Sequence, residues 1–278
     1  MSIFFDNHLH LRRDGFYLEA VKEFIKAGGT HFVLCQNPMP ELVMKEKSYL
    51  GCYEKTFKMA EEIRSELDVG VFVTVGPYPV DFLRLKDAFG EKKAIEIMKK
   101  GMEEAAQFCG DGKAIAIGEI GRPHFAVDEK IVEISNEILF YGMKKAADVG
   151  VPVVLHTEST TPEQCKELVN MGREAGLPAE KIIKHFAPAL IKKDENFGLI
   201  PSVLSSKKNI VEALKKGSRF LMETDYIDDP KRPGAVLGPK TVPRLTKKLL
   251  DDKVMTDAQA YSIHVKNPRK TYGIDLVE

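Results

Sequence analysis

Neither sign of charge predominates in this chain: 41 basic and 41 acidic residues cancel. That balance excludes a protein that grips nucleic acid or an anionic membrane through bulk charge, although a local basic patch stays open. Long apolar runs are absent too. No stretch approaches the roughly 20 residues that span a bilayer. The opening MSIFFDNHLH lacks the basic segment and apolar run of a secretion signal. Cysteine is scarce: Cys35, Cys52, Cys109 and Cys165 are scattered and form no CxxC pair. This is the pattern of free thiols in a reducing compartment, not of a disulfide framework. The expectation is a soluble, cytoplasmic protein without a membrane partner.

Linkers rich in Ser or Pro, fixed-period repeats and low-complexity tracts are also missing, so residues 1–278 read as one domain. What is present is an alternation. Short β-branched runs at 2–10, 31–36, 69–79, 114–121, 151–158, 181–186, 198–204 and 219–226 predict eight strands. Between them lie segments such as 15–29 and 130–150, in which apolar residues return every three or four positions, as an amphipathic helix requires. Thr161-Pro162-Glu163 marks a helix start, and Gly28 and Gly150 mark helix ends. Parallel strands need a crossover that a helix supplies, so the pattern predicts an α/β fold, a single (β/α)8 TIM barrel with a C-terminal helical tail from about Thr256. An open doubly wound sheet competes. It would want a Gly-rich phosphate turn after the first strand, where this chain has HLHLRRDG.

The motif FDNHLH places His8 and His10 on one face of the first strand, with Asp6. Alone this is a weak signal. Other strand ends add to it: Glu119 closes AIAIGE, His156 closes PVVLH, His185 closes IIKH and Asp225 closes FLMETD. Four of the seven histidines thus lie at carboxyl ends of predicted strands, the end where barrel active sites are built. Imidazoles and carboxylates gathered there suit zinc, manganese, iron, nickel or magnesium. Six ligands exceed the usual set of one catalytic metal, whereas two divalent metals about 3.5–4 Å apart, bridged by a carboxylate, would use them all. Asp6 and Glu223 either orient these histidines or are plain core polar residues. Of the others, His31 is expected at the inert end of the barrel, His264 on the surface of the tail, and His124 in a loop near the site.

The order HxH, Glu, His, His, Asp resembles the amidohydrolase superfamily. FDNHLH, GEIG, VVLHTE, IIKHF and METD, with the ending KNPRKTYG, are similar to TatD-type metal-dependent hydrolases, which include TatD-related deoxyribonucleases. The resemblance covers essentially the whole chain. It implies His8, His10 and Asp225 on one metal, His156 and His185 on the second, and Glu119 bridging. Phosphotriesterase-like relatives carry a lysine on strand four, and AIAIGEIG has none, which points to the TatD branch. Two places depart from the family's pattern. Arg122-Pro123-His124 follows GEIG where an acidic or aromatic residue is usual, and Thr157-Glu158 follows His156 where an arginine often stands. Both are substrate-side positions, so the substrate stays open.

The expected activity is hydrolysis by metal-activated hydroxide of a phosphoester, as in a nuclease or phosphodiesterase, with Asp225 as general acid–base and Arg122 and His124 as substrate contacts. The expected substrate is a small-molecule or nucleic-acid phosphoester. Basic residues in the predicted top loops (Arg12, Arg13, Arg122, Lys192, Lys193, Lys207, Lys208, Lys231 and Arg232) fit an anion, but Asp14, Glu158, Asp194, Asp228 and Asp229 share those loops. A lactonase, amidase or phosphomonoesterase on the same site is the alternative, and a non-catalytic metal-binding barrel is a third reading. Oligomeric state and native metal are not encoded in any motif.

Overall fold

The computed structural model describes residues 3–276, so Ser2, at the edge of the first predicted strand, lies outside the described residues. All eight predicted strands form: β1 (Phe5–His10), β2 (His31–Cys35), β3 (Gly70–Val75), β4 (Ala116–Gly121), β5 (Val153–His156), β6 (Ile182–Ala187), β7 (Ile200–Leu204) and β8 (Leu221–Glu223). A two-residue β9 (Tyr226–Ile227) continues β8 after Thr224 and Asp225. Every pairing is parallel, and each strand neighbours the next in sequence. β8 pairs with β7 and β9 pairs with β1, so the last strand position joins the two edges of a curled sheet. This is the (β/α)8 barrel architecture.

Strand alternation sorts the core into two layers. Val33, Cys35 and Val154 point into the barrel, while Phe32, Leu34 and Leu155 pack outward beneath the helices. The helices follow their local chemistry. Helix Pro162–Glu174 starts at a capping box in which Thr161 and Gln164 satisfy each other's backbone N–H groups. Helix Glu129–Val149 ends at Gly150, whose φ of 74° is the left-handed conformation glycine adopts without penalty. All four cysteines are buried and unpaired with one another.

The tail forms helix Asp257–Tyr261, a π-helical turn Ser262–Lys266 and helix Asn267–Tyr272. Val265, Tyr272 and Leu276 pack against Phe5, Ala116 and Ile183, closing the amino end of the barrel. Asn267 donates from Nδ2 to the carbonyls of Ser218 and Phe220, at 2.7 and 2.8 Å, just before β8.

His264 corrects a sequence expectation. It is 1% exposed, not on the surface. Its Nδ1 accepts from the Phe5 N–H at 3.2 Å, and Nε2 faces Thr246 Oγ1 at 2.9 Å, so it joins the tail to β1. A helix with one apolar face hides such a histidine in that face, and periodicity alone does not tell it from an exposed neighbour. Burial lowers its pKa to about 4. The native state therefore binds fewer protons than the unfolded state below pH 6.5, and stability falls as pH drops from about 6.5 to 4, by about 3 kcal/mol from this group. His264→Gln should remove that contribution. Urea midpoints of the two proteins should converge as pH falls through this window, and parallel curves would refute the assignment.

Candidate metal centre

Three strands of the barrel carry a register shift, and each shift falls on a histidine or carboxylate predicted for the site. In β1 an extra residue lies between Asp6 and Leu9, where His8 sits. In β4 the extra residue is Glu119, between Gly118 and Ile120. In β6 the shift lies between Lys184 and Ala187, which brackets His185. A bulge re-aims a side chain that strict alternation would send elsewhere. Gly121 supports the second of these. Its φ is +145°, and a Cβ there would lie 2.1 Å from the His156 carbonyl oxygen, so only glycine lets β4 and β5 approach. At the end of β8, Asp225 has a φ of 49°, a left-handed turn that Asp tolerates, and its N–H donates to the His8 carbonyl at 2.9 Å.

The result is a cluster centred on Glu119. Its Oε2 lies 3.4 Å from His10 Nε2 and 3.7 Å from His8 Nε2. Its Oε1 lies 2.9 Å from His156 Nδ1 and 3.4 Å from His185 Nε2. Asp225 Oδ1 completes the first half, 3.8 Å from Nε2 of both His8 and His10. The four histidines thus divide two and two between the oxygens of one carboxylate.

Electrostatics follows from burial. Burial alone pushes the Glu119 carboxyl up, but His8, His156 and His185 outweigh it and hold it well below its ordinary value. Burial lowers His10 and His185 to about 4, leaving neutral imidazoles with a lone pair to offer. Burial, with Glu223 and Glu119 nearby, pushes Asp225 well above the usual carboxylate range despite His8. The Nε2 atoms of His8 and His10 are 3.1 Å apart, both turned toward carboxylates. At that distance one ring N–H can donate to the other nitrogen, and a cation between the rings and the carboxylates would take both lone pairs instead. The donor set fits divalent metal, and its atoms group within 4.8 Å as His8–His10–Glu119 and Glu119–His156–His185.

Groups behind the cluster divide unevenly. Glu223 accepts from His185 Nδ1 at 3.0 Å and from the Phe186 N–H at 2.7 Å. Burial raises its pKa, but His185 and a hydrogen bond from Ser202 bring it below the ordinary value. Asp6 instead accepts from Thr224 Oγ1 and N, at 2.7 and 3.0 Å, and from the His8 N–H, which fastens β1 to the end of β8. Burial raises Asp6 to about 7. The Nδ1 atoms of His8 and His10 are buried without a hydrogen-bond partner among the described residues.

A cavity of about 1130 Å³ opens above the cluster. His10, Glu119, His156, His185 and Asp225 line its floor, and Leu11, Met39, Met59, Phe186 and Ile227 line its walls. His124 is there as expected, with Nδ1 2.9 Å from His156 Nε2. Arg122 is not. Its guanidinium is 5% exposed and donates to Glu158 and Glu167, each at 2.6 Å, and to Asn136 at 3.1 Å. Glu158, in Thr157-Glu158, and Glu167 hold it among the loops, and Arg122 is not among the residues that line the cavity. His31 lies at the amino end of β2, bonded to Thr30 Oγ1, as predicted. Arg12, Arg13 and Arg232 reach the cavity, whereas Lys192, Lys193, Lys207 and Lys208 do not line it. Asp228 fixes the first of these loops by accepting from the Phe16 and Tyr17 N–H groups, both at 2.8 Å.

Among the cavity residues that sequence reading missed, two carry ionisable side chains. Tyr78 places its hydroxyl 3.3 Å from His156 Nε2. It follows β3 in VGPYP, so the strand-end rule could have found it. Lys55 projects from helix Leu50–Glu66, and no local signal marks it.

Parallel barrels of this architecture recur among solved structures. The phosphotriesterase homology protein from Escherichia coli, complexed with phosphate in its active site, superposes with a TM-score of 0.66 at 14% identity, covering 98% of this chain and 99% of that one. A variant of the organophosphorus hydrolase from Deinococcus radiodurans gives 0.60 at 14% identity over 98% and 93%. The model of the family described as TatD related DNase matches residues 5–273, and the chain belongs to that family. An uncharacterized protein of Methanocaldococcus jannaschii is 37% identical over 280 residues, covering 98% of this chain and 96% of that protein. The uncharacterized metal-dependent hydrolase YabD of Bacillus subtilis is 23% identical over 98% of this chain and 99% of its own length. The chain is a metal-dependent hydrolase. No helix among the described residues is long and apolar enough to cross a membrane.

Proposed function

We propose that this protein hydrolyses phosphoester bonds at a centre of two divalent cations shared through Glu119. The observation that carries the reading is the division of four imidazoles between the two Glu119 oxygens, with Asp225 on one side only. His8 Nε2, His10 Nε2 and Asp225 would hold one cation, and His156 Nδ1 and His185 Nε2 the other. A nitrogen-rich set of this kind suits zinc, manganese or iron better than magnesium. The chemistry that such a pair supplies is Lewis acidity, a lowered pKa for water and neutralised charge on the phosphoryl oxygens.

The chain's own residues do the rest. Asp225 takes the proton of the attacking water and returns it to the leaving-group oxygen. Tyr78 and His124 orient His156 from the cavity side. Arg12, Arg13, Lys55 and Arg232 surround the mouth. Arg12 is engaged by Asp14 and Asp229, Arg13 by Glu62 and Arg232 by Asp229, while Lys55 has no carboxylate partner among the described residues. That leaves Lys55 to meet an anionic substrate. The phosphate in the Escherichia coli neighbour supports a phosphoryl substrate.

A second reading, hydrolysis of a small lactone or amide, is favoured by the apolar cavity walls, whose volume suits a compact ligand more than a long polymer. Protein reconstituted with zinc or manganese should turn over bis-p-nitrophenyl phosphate or p-nitrophenyl phosphate. Turnover of lactones with both phosphoesters untouched would overturn the phosphoester reading, and failure to bind divalent metal would overturn the metal centre itself.

A further inference from the structure

A continuous line of buried hydrogen bonds runs from the C-terminal helix to the candidate centre. Tyr272 Oη donates to Asn7 Oδ1 at 2.8 Å. Asn7 Nδ2 donates to Ser202 Oγ at 2.9 Å. Ser202 Oγ donates to Glu223 Oε2, and Glu223 Oε1 accepts from His185 Nδ1 at 3.0 Å. All five residues are buried, from 0 to 6% exposed. Tyr272 sits at the amino end of the barrel among apolar residues, and His185 at the opposite end, lining the cavity.

The direction of each bond is fixed by its neighbours. A carboxylate only accepts, so Ser202 gives its proton to Glu223. The Ser202 oxygen then accepts, which turns the Asn7 amide nitrogen toward it. The Asn7 oxygen is left facing the tail, where the Tyr272 hydroxyl meets it. Without that hydroxyl the amide is free to turn over. Its oxygen would then face Ser202 and draw the hydroxyl proton away from Glu223. Glu223 would hold His185 with one donor fewer, in a buried setting where an unmet acceptor is costly.

We infer that Tyr272 is a positioning residue for the metal centre, its hydroxyl holding the polarity of the Asn7–Ser202–Glu223 line and thereby the orientation and Nδ1–H tautomer of His185. The inference rests on the reading of His185 as a metal ligand. It assigns the C-terminal helix a part in the site beyond closing the barrel floor. His185 differs in this from His8 and His10, whose Nδ1 atoms have no such support.

The test compares Tyr272→Phe, Ser202→Ala and the double variant with the parent. Groups that hold a ligand from behind typically contribute about 10- to 100-fold in metal affinity. Tyr272→Phe should weaken zinc binding at one of the two positions by about tenfold, the lower end of that range, in competition titration with a chromogenic chelator. Ser202→Ala should do the same or more, and the double variant should lose no more than Ser202→Ala alone. Additive losses would overturn the line of transmission. His264→Gln is the control for the tail, because it lowers stability without touching this line and should leave zinc affinity unchanged. If it weakened zinc equally, Tyr272 would be merely structural. A second readout needs no metal. In metal-free protein with labelled imidazole nitrogens, the His185 Nδ1–H signal should exchange with water faster in Tyr272→Phe than in the parent. Unchanged exchange would refute the inference, whereas a parent that binds no zinc would refute the metal-centre reading instead.

Discussion

Glu119→Gln should reduce bound metal from two equivalents per chain to one or fewer and lower turnover by more than about 100-fold, beyond what loss of a group behind a ligand causes. The reason is geometric. Each Glu119 oxygen serves its own pair of histidines, Oε2 with His8 and His10, Oε1 with His156 and His185. A glutamine keeps the shape but offers one acceptor and one NH2 group. Whichever way the amide turns, two imidazoles face a donor instead of a shared anion, and the negative charge at the centre of the cluster is lost. The metal-free variant should fold but be less stable than the metal-free parent at neutral pH, because the histidines that hold the Glu119 carboxylate ionised lose their buried partner. Metal analysis after reconstitution, with thermal unfolding of the metal-free proteins, checks both halves. Two metals and full activity in the variant would remove Glu119 from the bridging role.

The second large effect is on the chemical step alone. Asp225→Asn should lower kcat by about 10²–10⁴-fold, the range lost with a general acid–base group. Asn tolerates the left-handed φ of 49° as well as Asp does, so the turn after β8 and its bond to the His8 carbonyl should survive. Metal at the His156–His185 position should be retained, since Asp225 faces only His8 and His10. The limb of the pH–rate profile belonging to this carboxyl should vanish with it. Steady-state kinetics at saturating metal decides the matter: kcat within threefold of the parent would assign the proton to another group.

These two residues also mark how far sequence reasoning reaches. Both stand at the carboxyl ends of predicted strands, and the strand-end rule found them together with His8, His10, His156 and His185 because a barrel gathers those ends around one axis. The same rule would have found Tyr78. It could not find Lys55, which reaches the cavity from a helix, and it did not foresee the ion pairs that keep Arg122 out of the cavity lining. GRPH reads as a loop over the site, yet the carboxylates of Glu158 and Glu167, each 2.6 Å away, hold the guanidinium among the loops. Ion-pair partners 36 and 45 residues away along the chain leave no local trace.

By itself the sequence determined the order of strands and helices, the parallel barrel and the identities of the histidines and carboxylates at its mouth, because periodicity and strand ends are local properties of the chain. How those side chains meet was decided only by the tertiary structure. The register shifts at His8, Glu119 and His185 depend on how neighbouring strands pair. The burial of His264 depends on how the tail packs against β1. The hydrogen-bonded line from Tyr272 to His185 joins β1, β6, β7, β8 and the final helix, five segments distant in sequence. Hydrogen bonds and strand register act over a few ångströms of space, and only the folded chain brings these residues within that range.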